Sequence, residues 1–411
     1  MTSVKNSDIH WLGKVASDWE VAPAWRVMKE RGEKASPDDV HLTPSQTYGV
    51  LTQQDYMDRT GNKVVLNLAG TDNMKRVRAG DFIIHLRSFQ GGIEASAIDG
   101  KVSNAYTVLT PAPDAHFGYY RWFMKSVPLI EGLASSTDQL RDGQSINFSR
   151  FSRLSLPLPP LETQRRIADY LDRETAEIDA AVADLDKYVE LLETRRQLHI
   201  DQTFRALLEK WPLAPLGLFF SILNGDRGVN YPKAEEITQA GIPFINAGDV
   251  TERRVSLSQA KFVSEEKYES MGGAKLRQGD ILFCLRGSLG KHGLVDFDGG
   301  SVASSLCILR PKNANTYRSR FLNLYLDSKF IESEVRFSEN GSAQPNLSAD
   351  SLSRFKVPAV STEQQENVST SLEQMHKEID SLIIESTRLR DLLLKRRSVL
   401  ITEVVTGRKQ V

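Results

Sequence analysis

The sequence predicts an α+β chain made by tandem duplication: a globular α/β module followed by a long helix, twice over, with the two long helices pairing as an antiparallel coiled coil. Three observations predict it. First, the stretch from Pro157 to Arg196 occurs twice. Shifted by 201 positions it lands on Pro358 to Arg397 without a gap, so that Glu162 falls on Glu363, Leu171 on Leu372, Ile178-Asp179 on Ile379-Asp380 and Leu191-Leu192 on Leu392-Leu393. Second, both copies follow a proline and then lack Gly and Pro, from Leu161 to Trp211 and from Ala359 to Thr406, in a chain that holds 27 Gly and 16 Pro. Helix-forming composition at that length reads as a long helix. Third, Leu171, Ile178, Val182, Leu185, Val189 and Leu192 step by seven, four, three, four and three, the seam of a coiled coil.

The second copy has a rougher seam: Leu372, Ile379, Ile383, Leu389 and Leu393, with Ser386 breaking the stripe. Ser361 followed by Gln364 makes a capping-box start for that helix. Two unrelated surface helices would not share a residue-by-residue frame.

In chain order, residues 1–155 form the first module. Trp11-Leu12-Gly13 and Trp19 open it with a short helix or extended segment, and polar, turn-rich sequence follows through Gly61. Strands are expected over Lys63 to Leu68, Phe82 to Leu86 and Val102 to Leu109, then a short amphipathic helix from Tyr119 to Ser126. The first long helix occupies the region 156–211. Residues 212–355 repeat the module and 356–411 hold the second long helix. Trp19 pairs with Trp211 at a shift of 192. Arg76, Arg78, Gly80, Asp81, Arg87 and Gly91 fall on Lys275, Arg277, Gly279, Asp280, Arg286 and Gly290 at a shift of 199. Val102, Leu109 and Pro111 fall on Val302, Leu309 and Pro311 at a shift of 200. A shift that grows from 192 to 201 means that the second module gained loop residues while keeping its frame.

Antiparallel helices would relate the modules by a pseudo-twofold axis. They would also bring Thr406-Gly407 back towards the first module. A helix of about 45 residues is roughly 65 Å long, so the pair is expected to act as a spacer between two similar modules. Double-stranded DNA, with a repeat of about 34 Å per turn, is a partner of matching dyad geometry.

Bulk composition narrows the classes. A chain of 411 residues implies two or three domains. No apolar run approaches the length needed to cross a bilayer, so no membrane partner is expected. Cys284 and Cys307 are the only cysteines and lack metal-ligand spacing, which points to core thiols in a reducing, cytoplasmic setting. The net charge of −1 argues against indiscriminate nucleic-acid binding over the whole surface, though not against a local basic face.

A search for chemistry finds none. Gly287-Ser288-Leu289-Gly290-Lys291 has the composition of a phosphate loop but the wrong spacing, and it does not lead into a helix. There is no Asn-Pro-Pro-aromatic methyltransferase signature and no nuclease constellation. Glu265-Glu266-Lys267 reads as a solvated charge run. The seven His residues are scattered without ligand spacing, and His85 and His116 read as core or surface residues. No Ser-His-acid grouping can be proposed from spacing.

Pro157-Leu158-Pro159-Pro160-Leu161-Glu162-Thr163-Gln164-Arg165-Arg166-Ile167-Ala168, followed by Leu171 and Ile178-Asp179, resembles the central conserved region of type I restriction–modification specificity subunits. Val357 to Asp380, with Glu363-Gln364-Gln365 and Val368, resembles their distal conserved region, and Gly143-Gln144 and Gln344 also match the pattern. The chain departs from it at Ala16-Ser17, where an Ile-Pro pair often precedes the first Trp, and at Thr163, where Glu is usual. The resemblance implies that each module is a target-recognition domain reading one half of an asymmetric bipartite site in double-stranded DNA. It implies two modification (methyltransferase) subunits docked on the helices, with restriction subunits joining them. It implies no cofactor here: the modification subunits would bind S-adenosylmethionine, the restriction subunits ATP and Mg, and this subunit would catalyse nothing.

The duplication sorts the residues of a DNA-reading surface. Shared positions, Arg76 with Lys275, Arg78 with Arg277 and Arg87 with Arg286, read either as phosphate contacts or as structural caps on the strands that begin after Gly80-Asp81 and Gly279-Asp280. Unshared positions are candidates for base edges: Gln53, Gln54, Ser88 and Gln90 in the first module, and Arg227, Asn230, Tyr231, Lys291 and His292 in the second. Arg or Lys suits guanine and Asn or Gln suits adenine; any one of these taken alone is more often a plain surface residue, and it is as a set that they point to a reading surface. On the helices, Arg165, Arg166, Arg195, Arg196, Arg396 and Arg397 are candidates for partner docking, against the alternative of an ordinary solvated face. A different class of function stays open: a coiled-coil adaptor whose paired modules bind proteins. A stand-alone enzyme is the weakest reading, since no catalytic grouping exists.

Overall fold

Two glutamines one repeat apart, Gln164 and Gln365, fasten the start of each long helix to the module before it. In the computed structural model the helices run Leu161–Lys210 and Thr362–Val405. The buried Gln164 amide donates to the carbonyls of Asp114 and Pro159 at 2.8 and 2.7 Å and accepts from the His116 N–H at 2.7 Å. Gln365 does the same with Thr316, Val360 and Arg318. Every polar atom of these buried amides thus has a partner, as burial requires. Ser361 Oγ accepts from the Gln364 N–H at 3.2 Å, the forward half of the expected capping box. The structure describes residues 3–63, 73–136, 146–226, 231–338 and 346–411.

The chain divides into two compact units, Met1–Asp186 with Arg388–Val411, and Lys187–Thr387. Each unit takes one module, the near half of one long helix and the far half of the other. The boundaries read from composition treated the helices as separate regions. The cores explain the difference. In the first unit, Trp19, Phe82, Tyr119, Tyr120 and Phe123 pack with Ile167, Leu171 and Ile178 of the first helix and Leu400, Ile401, Val404 and Val405 of the second. In the second unit, Ile200, Phe204 and Leu207 pack with Phe321, Tyr325, Leu352, Phe355 and Leu372; the Phe204 ring meets those of Phe321 and Tyr325 edge-on at 5.4 and 5.0 Å. Each fully buried side chain of this size contributes about 1.5–3 kcal/mol, so the helix ends belong to the module cores.

The first unit is built on a four-stranded antiparallel sheet in the order Met28–Glu30, Thr107–Pro111, Phe82–Ile84, Glu94–Ala95. The second keeps these four strands as Phe220–Asn224, Leu306–Pro311, Ile281–Cys284 and His292–Leu294. It adds the hairpin Val250–Thr251 and Arg253–Val255 at the edge, the latter strand parallel to His292–Leu294. A separate three-stranded sheet, Lys261–Val263, Ile242–Ile245 and Ser301–Val302, completes it. The shift widens by seven residues, from 192 to 199, between Trp19/Trp211 and Arg76/Lys275, the stretch that holds the added hairpin, whereas Ser301–Val302 matches Lys101–Val102 of the first module.

Several local expectations change. The polar stretch before Gly61 holds a hairpin, Leu42–Ser45 with Gly49–Thr52, and a helix, Gln53–Thr60; Thr52 Oγ1 caps that helix by accepting from the Asp55 N–H. The opening segment is extended, with Val4–Asn6 paired to Lys14–Ala16. Val102 to Leu109 is two strands, Gly100–Val102 and Thr107–Pro111. The helix expected over Tyr119 to Ser126 is Phe117–Phe123, followed by a second, Val127–Ser135. Of the strand expected over Lys63 to Leu68, all but Lys63 lies outside the described residues.

In each unit the long helices run antiparallel. In the first, Arg397 and Arg390 of the second helix meet Asp179 and Asp186 of the first. In the second, Arg196 of the first helix meets Asp380 of the second. The seam of the second helix continues through Ser386, which is buried, while Leu389 faces out. Heptad spacing places Ser386, Arg390 and Arg397 at seam positions where an aliphatic stripe was sought. The end of the second helix closes on the first module: Ala16 N–H donates to the Thr406 carbonyl at 3.0 Å, Tyr119 Oη to the Val405 carbonyl at 2.7 Å, and Arg408 to the carbonyls of Lys14 and Leu12 at 2.9 Å. Among the described residues no helix is long and apolar enough to cross a membrane.

Candidate nucleic-acid interface

Each module has a buried aspartate before its central strand. Asp81 Oδ2 accepts from the Arg78 N–H at 2.8 Å, and Asp280 Oδ2 from the Arg277 N–H at 2.8 Å. The strand entry is therefore capped by the aspartates; the neighbouring basic side chains do not cap it. Each aspartate is neutralised by an arginine gripping it with two donors, at 2.6 and 2.8 Å from Arg31 and at 2.8 and 2.7 Å from Arg310. The arginine comes from different places in the two modules: Arg31 directly follows the strand Met28–Glu30, and Arg310 lies in the strand Leu306–Pro311. Thr110, at the position of Arg310, gives its hydroxyl to Asp81 at 2.9 Å.

This frame places the shared basic residues. Arg78 donates to Glu33 at 2.9 Å, and Arg76 lies 3.7 Å from Glu33 and 4.0 Å from Asp39. The hydrogen bond from Arg78, more than its charge, holds the Glu33 carboxyl below its usual range. Lys275 packs over the Tyr268 ring at 3.6 Å and donates to the Tyr268 carbonyl; burial pushes its pKa down. The Arg76–Lys275 match is thus a match in sequence only. Arg277 is exposed, and its guanidinium makes no ion pair among the described residues. Arg87 and Arg286 are both exposed and leave the ends of the matched strands Phe82–Ile84 and Ile281–Cys284.

Two unshared candidates are corrected. His292 is only 7% exposed; its Nε2 lies 3.0 Å from the Asn323 carbonyl and its Nδ1 2.9 Å from the Gly290 carbonyl, so the ring is committed to the interior. Ser88 is buried, and its Oγ accepts from the His85 N–H at 2.9 Å, so it shapes a turn and cannot reach a groove. Both sit next to exposed residues, and local sequence does not reveal which neighbour turns inward. Lys291 donates to the Ala247 carbonyl at 3.0 Å. Tyr231 is half-buried edge-on to Phe244, and burial raises its phenol pKa. Gln54 is exposed and donates to Asp58 at 2.8 Å; Gln53, beside it, begins the same helix. Gln90 is exposed beside Arg87. Arg227 and Asn230 lie outside the described residues, as do Gly143, Gln144 and Gln344.

On the helices, Arg165, Arg166, Arg195 and Arg396 are exposed, with Arg166 3.4 Å from Thr163 Oγ1. Arg196 and Arg397 are spent on the internal pairs with Asp380 and Asp179, and Arg397 also lies 5.5 Å over the Trp122 ring. Their recurrence in both copies reflects helix pairing. The exposed helix surface also carries large apolar residues. Tyr188, Leu191 and Leu198 form an exposed stripe in the second unit around Arg195, and Leu389, Leu392 and Val399 form its counterpart in the first around Arg396. Leu191 and Leu392 are 57% and 56% exposed. The signal was present in the repeated pairs Leu191-Leu192 and Leu392-Leu393, since successive helical residues cannot both face one seam. In the first unit, Val399 also lines a groove of about 430 Å³ with Trp11, Val127, Pro128 and Thr402. Singly exposed apolar residues are ordinary; here three recur along one helix face in each unit, at matching positions. Among the described residues no three His, Cys, Asp or Glu converge as metal ligands would.

The type I restriction modification DNA specificity domain matches residues 17–183 and again residues 209–386. The EcoBI type I restriction enzyme specificity subunit of Escherichia coli is 26% identical over 249 residues, 55% of this chain and 52% of the relative. The MjaVIII specificity subunit of Methanocaldococcus jannaschii is 22% identical over 281 residues, 64% of this chain and 63% of the relative. The matches thus span from about half to under two thirds of these relatives' length. Two solved structures share the fold. A chain from a study of assembly and conformational transition in the type I R-M system has a TM-score of 0.69 at 16% identity, covering 95% of this chain and 98% of that one. The HsdS subunit from Thermoanaerobacter tengcongensis has a TM-score of 0.57 at 17% identity, covering 96% and 98%. With most of its length matched in two successive copies, the chain belongs to the type I restriction modification DNA specificity family.

Proposed function

We propose that this chain is the DNA sequence-specificity subunit of a type I restriction–modification complex, in which each module reads one half of an asymmetric bipartite site. The observation that carries this reading is the matched turn after the central strand. Arg87 and Arg286 stand exposed at equivalent places on one frame, but their neighbours differ: Ser-Phe-Gln in the first module, Gly-Ser-Leu in the second. Of these neighbours Gln90 is exposed in the first module, and Gly287 and Ser288 in the second; a common scaffold that presents unlike residues beside a shared arginine suits two readers of unlike half-sites.

The two apolar stripes support docking of one modification subunit on each, with Arg195 and Arg396 at their centres. In this proposal the subunit catalyses nothing. The modification subunits bind S-adenosylmethionine and methylate adenine, restriction subunits bring ATP and Mg, and the assembly works in the cytoplasm.

The test is to reconstitute the chain with modification subunits and map methylated adenines before and after exchanging the second module for that of a relative. One half of the motif should change and the other persist. A motif that shifts in both halves overturns the two-reader assignment. Methylation that is indifferent to the chain's presence overturns DNA reading altogether and favours a protein-binding adaptor.

A further inference from the structure

We propose that the first module reads its half-site through a composite edge in which Gln46, at the tip of the Leu42–Ser45/Gly49–Thr52 hairpin, is the positioning residue for Arg87. The inference rests on the DNA-reading function proposed above and names the base chemistry: the O6 and N7 acceptors of a guanine, which an arginine fork matches.

The turn that carries Arg87 is fixed on most sides by buried structure. The His85 N–H donates to Ser88 Oγ at 2.9 Å. Lys125 Nζ donates to the Gly91 carbonyl at 3.1 Å and also to Glu94, whose side chain is buried. Gly92 has φ +82°, and a Cβ there would stand 2.3 Å from the Met124 carbonyl oxygen, so the chain passes only as glycine. The solvent side is held by Gln46, which arrives from 41 residues earlier. Its Nε2 donates to the Arg87 carbonyl at 2.9 Å, and its side chain lies across Gly91, where an added Cβ would meet Gln46 Cδ at 2.6 Å. Gln46 therefore touches both ends of the Arg87–Gly91 turn.

An exposed glutamine adds little to a fold already held by Phe82, Ile84 and Ile93 beneath it. What it fixes is the peptide from which the Arg87 guanidinium projects. That guanidinium makes no ion pair among the described residues, unlike Arg31, Arg76 and Arg78 of the same module. Bidentate reading of a base edge depends on such preset direction. The second module braces its matching turn differently: Arg286 bridges to Asn346, and the Leu347 N–H donates to the Leu285 carbonyl at 2.9 Å. Gln46 should thus act on one half-site alone.

The test uses the full chain reconstituted with modification subunits, with methylated motifs read by sequencing for Gln46→Ala, Gly91→Ala and Arg87→Ala, and melting temperature measured alongside. In Gln46→Ala and Gly91→Ala, discrimination for guanine should fall about tenfold or more at the single position that Arg87→Ala also relaxes. The second half-site and the melting temperature of Gln46→Ala should not change. An intact motif in Gln46→Ala, relaxation at a different position from Arg87→Ala, or relaxation in both halves overturns the assignment of Gln46. If the unaltered chain directs no methylation, the DNA-reading function itself has failed, which separates the two outcomes.

Discussion

Arg397 donates to both carboxylate oxygens of Asp179, at 2.8 and 3.1 Å, and the pair one repeat away with the helices exchanged, Arg196 with Asp380, is joined by one hydrogen bond, from Nη2 to Oδ1. One duplicated ion pair therefore serves twice, once in each unit, and antiparallel pairing is what lets each copy of the arginine find the other copy's aspartate. Asp179 is half exposed and Arg397 is 29% exposed, so the Coulomb gain is screened. A double-mutant cycle on Arg397→Ala and Asp179→Ala, followed by denaturant melts, should give a coupling of about 0.2–1 kcal/mol that shrinks with added salt. A coupling of several kcal/mol would mean that the pair is desolvated, contrary to its exposure in the structure.

The carboxylates beneath the central strands should behave oppositely. Asp280 is 1% exposed and carries both donors of Arg310. Asp280→Ala leaves a half-buried guanidinium unmatched and should cost about 3–5 kcal/mol, seen as faster hydrogen exchange in the Ile281–Cys284 and Leu306–Pro311 strands. Arg310→Thr should cost nearly as much. The first module shows how to repair it, because Arg31 supplies the same fork from just past the neighbouring strand, and the position of Arg31 in the second module is Leu223. Leu223→Arg combined with Arg310→Thr should recover much of the lost protection. No recovery would show that the two frames are not interchangeable at this site.

The contrast between these two clusters explains what was legible in the sequence. Repetition exposed whatever is encoded locally and twice: the long helices, whose observed ends fall within three residues of those read from Gly and Pro spacing, the strand after Asp81, and the start at Ser361. It also showed that Asp81 and Asp280 are equivalent. It could not show that their arginines come from different places, because the partners lie 50 and 30 residues away and only folding brings them together. Ser386 looked like a flaw because a coiled-coil seam was sought as aliphatic; in the folded helix the polar seam positions Arg390 and Arg397 reach aspartates on the other helix. Equal sequence positions also hid unequal surroundings: Lys275 stacks on Tyr268, which the first module lacks, and Arg76 meets Glu33.

The exposed stripes predict an uncoupling of stability from assembly. Leu191→Lys and Leu392→Lys replace side chains that face solvent, so each should change the melting temperature little, equivalent to about 0.5 kcal/mol or less. Each should weaken capture of modification subunits at its own stripe by tenfold or more if the leucine anchors the contact. Native mass spectrometry would then show one modification subunit retained in either single variant and none in the double. Two subunits retained in the double variant would remove the stripes from the docking surface.

Acid should loosen the second unit at a defined place. Arg253 Nη1 lies 2.9 Å from His376 Nδ1, and a guanidinium can donate only to the lone pair of a neutral ring. Burial, then the charges of Arg253 and Arg196, push the His376 pKa down from 6.5 to about 4, with Asp380 and Glu373 pulling weakly the other way. Because the folded value lies below the unfolded one, the unfolded chain takes up its proton first as pH falls. Stability is then lost progressively from about pH 6.5 to about pH 4, by up to about 3 kcal/mol, and the loss is complete below that window. Asp327, which faces Arg253 at 3.4 Å, has its pKa raised by burial and contributes with the opposite sign above its ordinary range. The measurement must therefore be a difference. His376→Asn keeps an acceptor for Arg253 but cannot titrate, so its stability should fall less steeply than that of the unaltered chain across this window. The site of opening should be the hairpin tip, where Glu252 and Arg253 hold φ of 47° and 63° without being glycine, a conformation costing about 1–3 kcal/mol per residue unless its surroundings enforce it. The enforcing contacts are the Asn323 side chain on the Arg253 carbonyl, at 3.0 Å, and the His376 and Asp327 contacts of its guanidinium. Protonating His376 removes one of them and sets two cations face to face, so hydrogen exchange at Val250–Val255 should accelerate near pH 5 before the neighbouring Ile281–Cys284 strand responds. Equal acid slopes in the unaltered chain and His376→Asn would show that this histidine does not govern the hairpin.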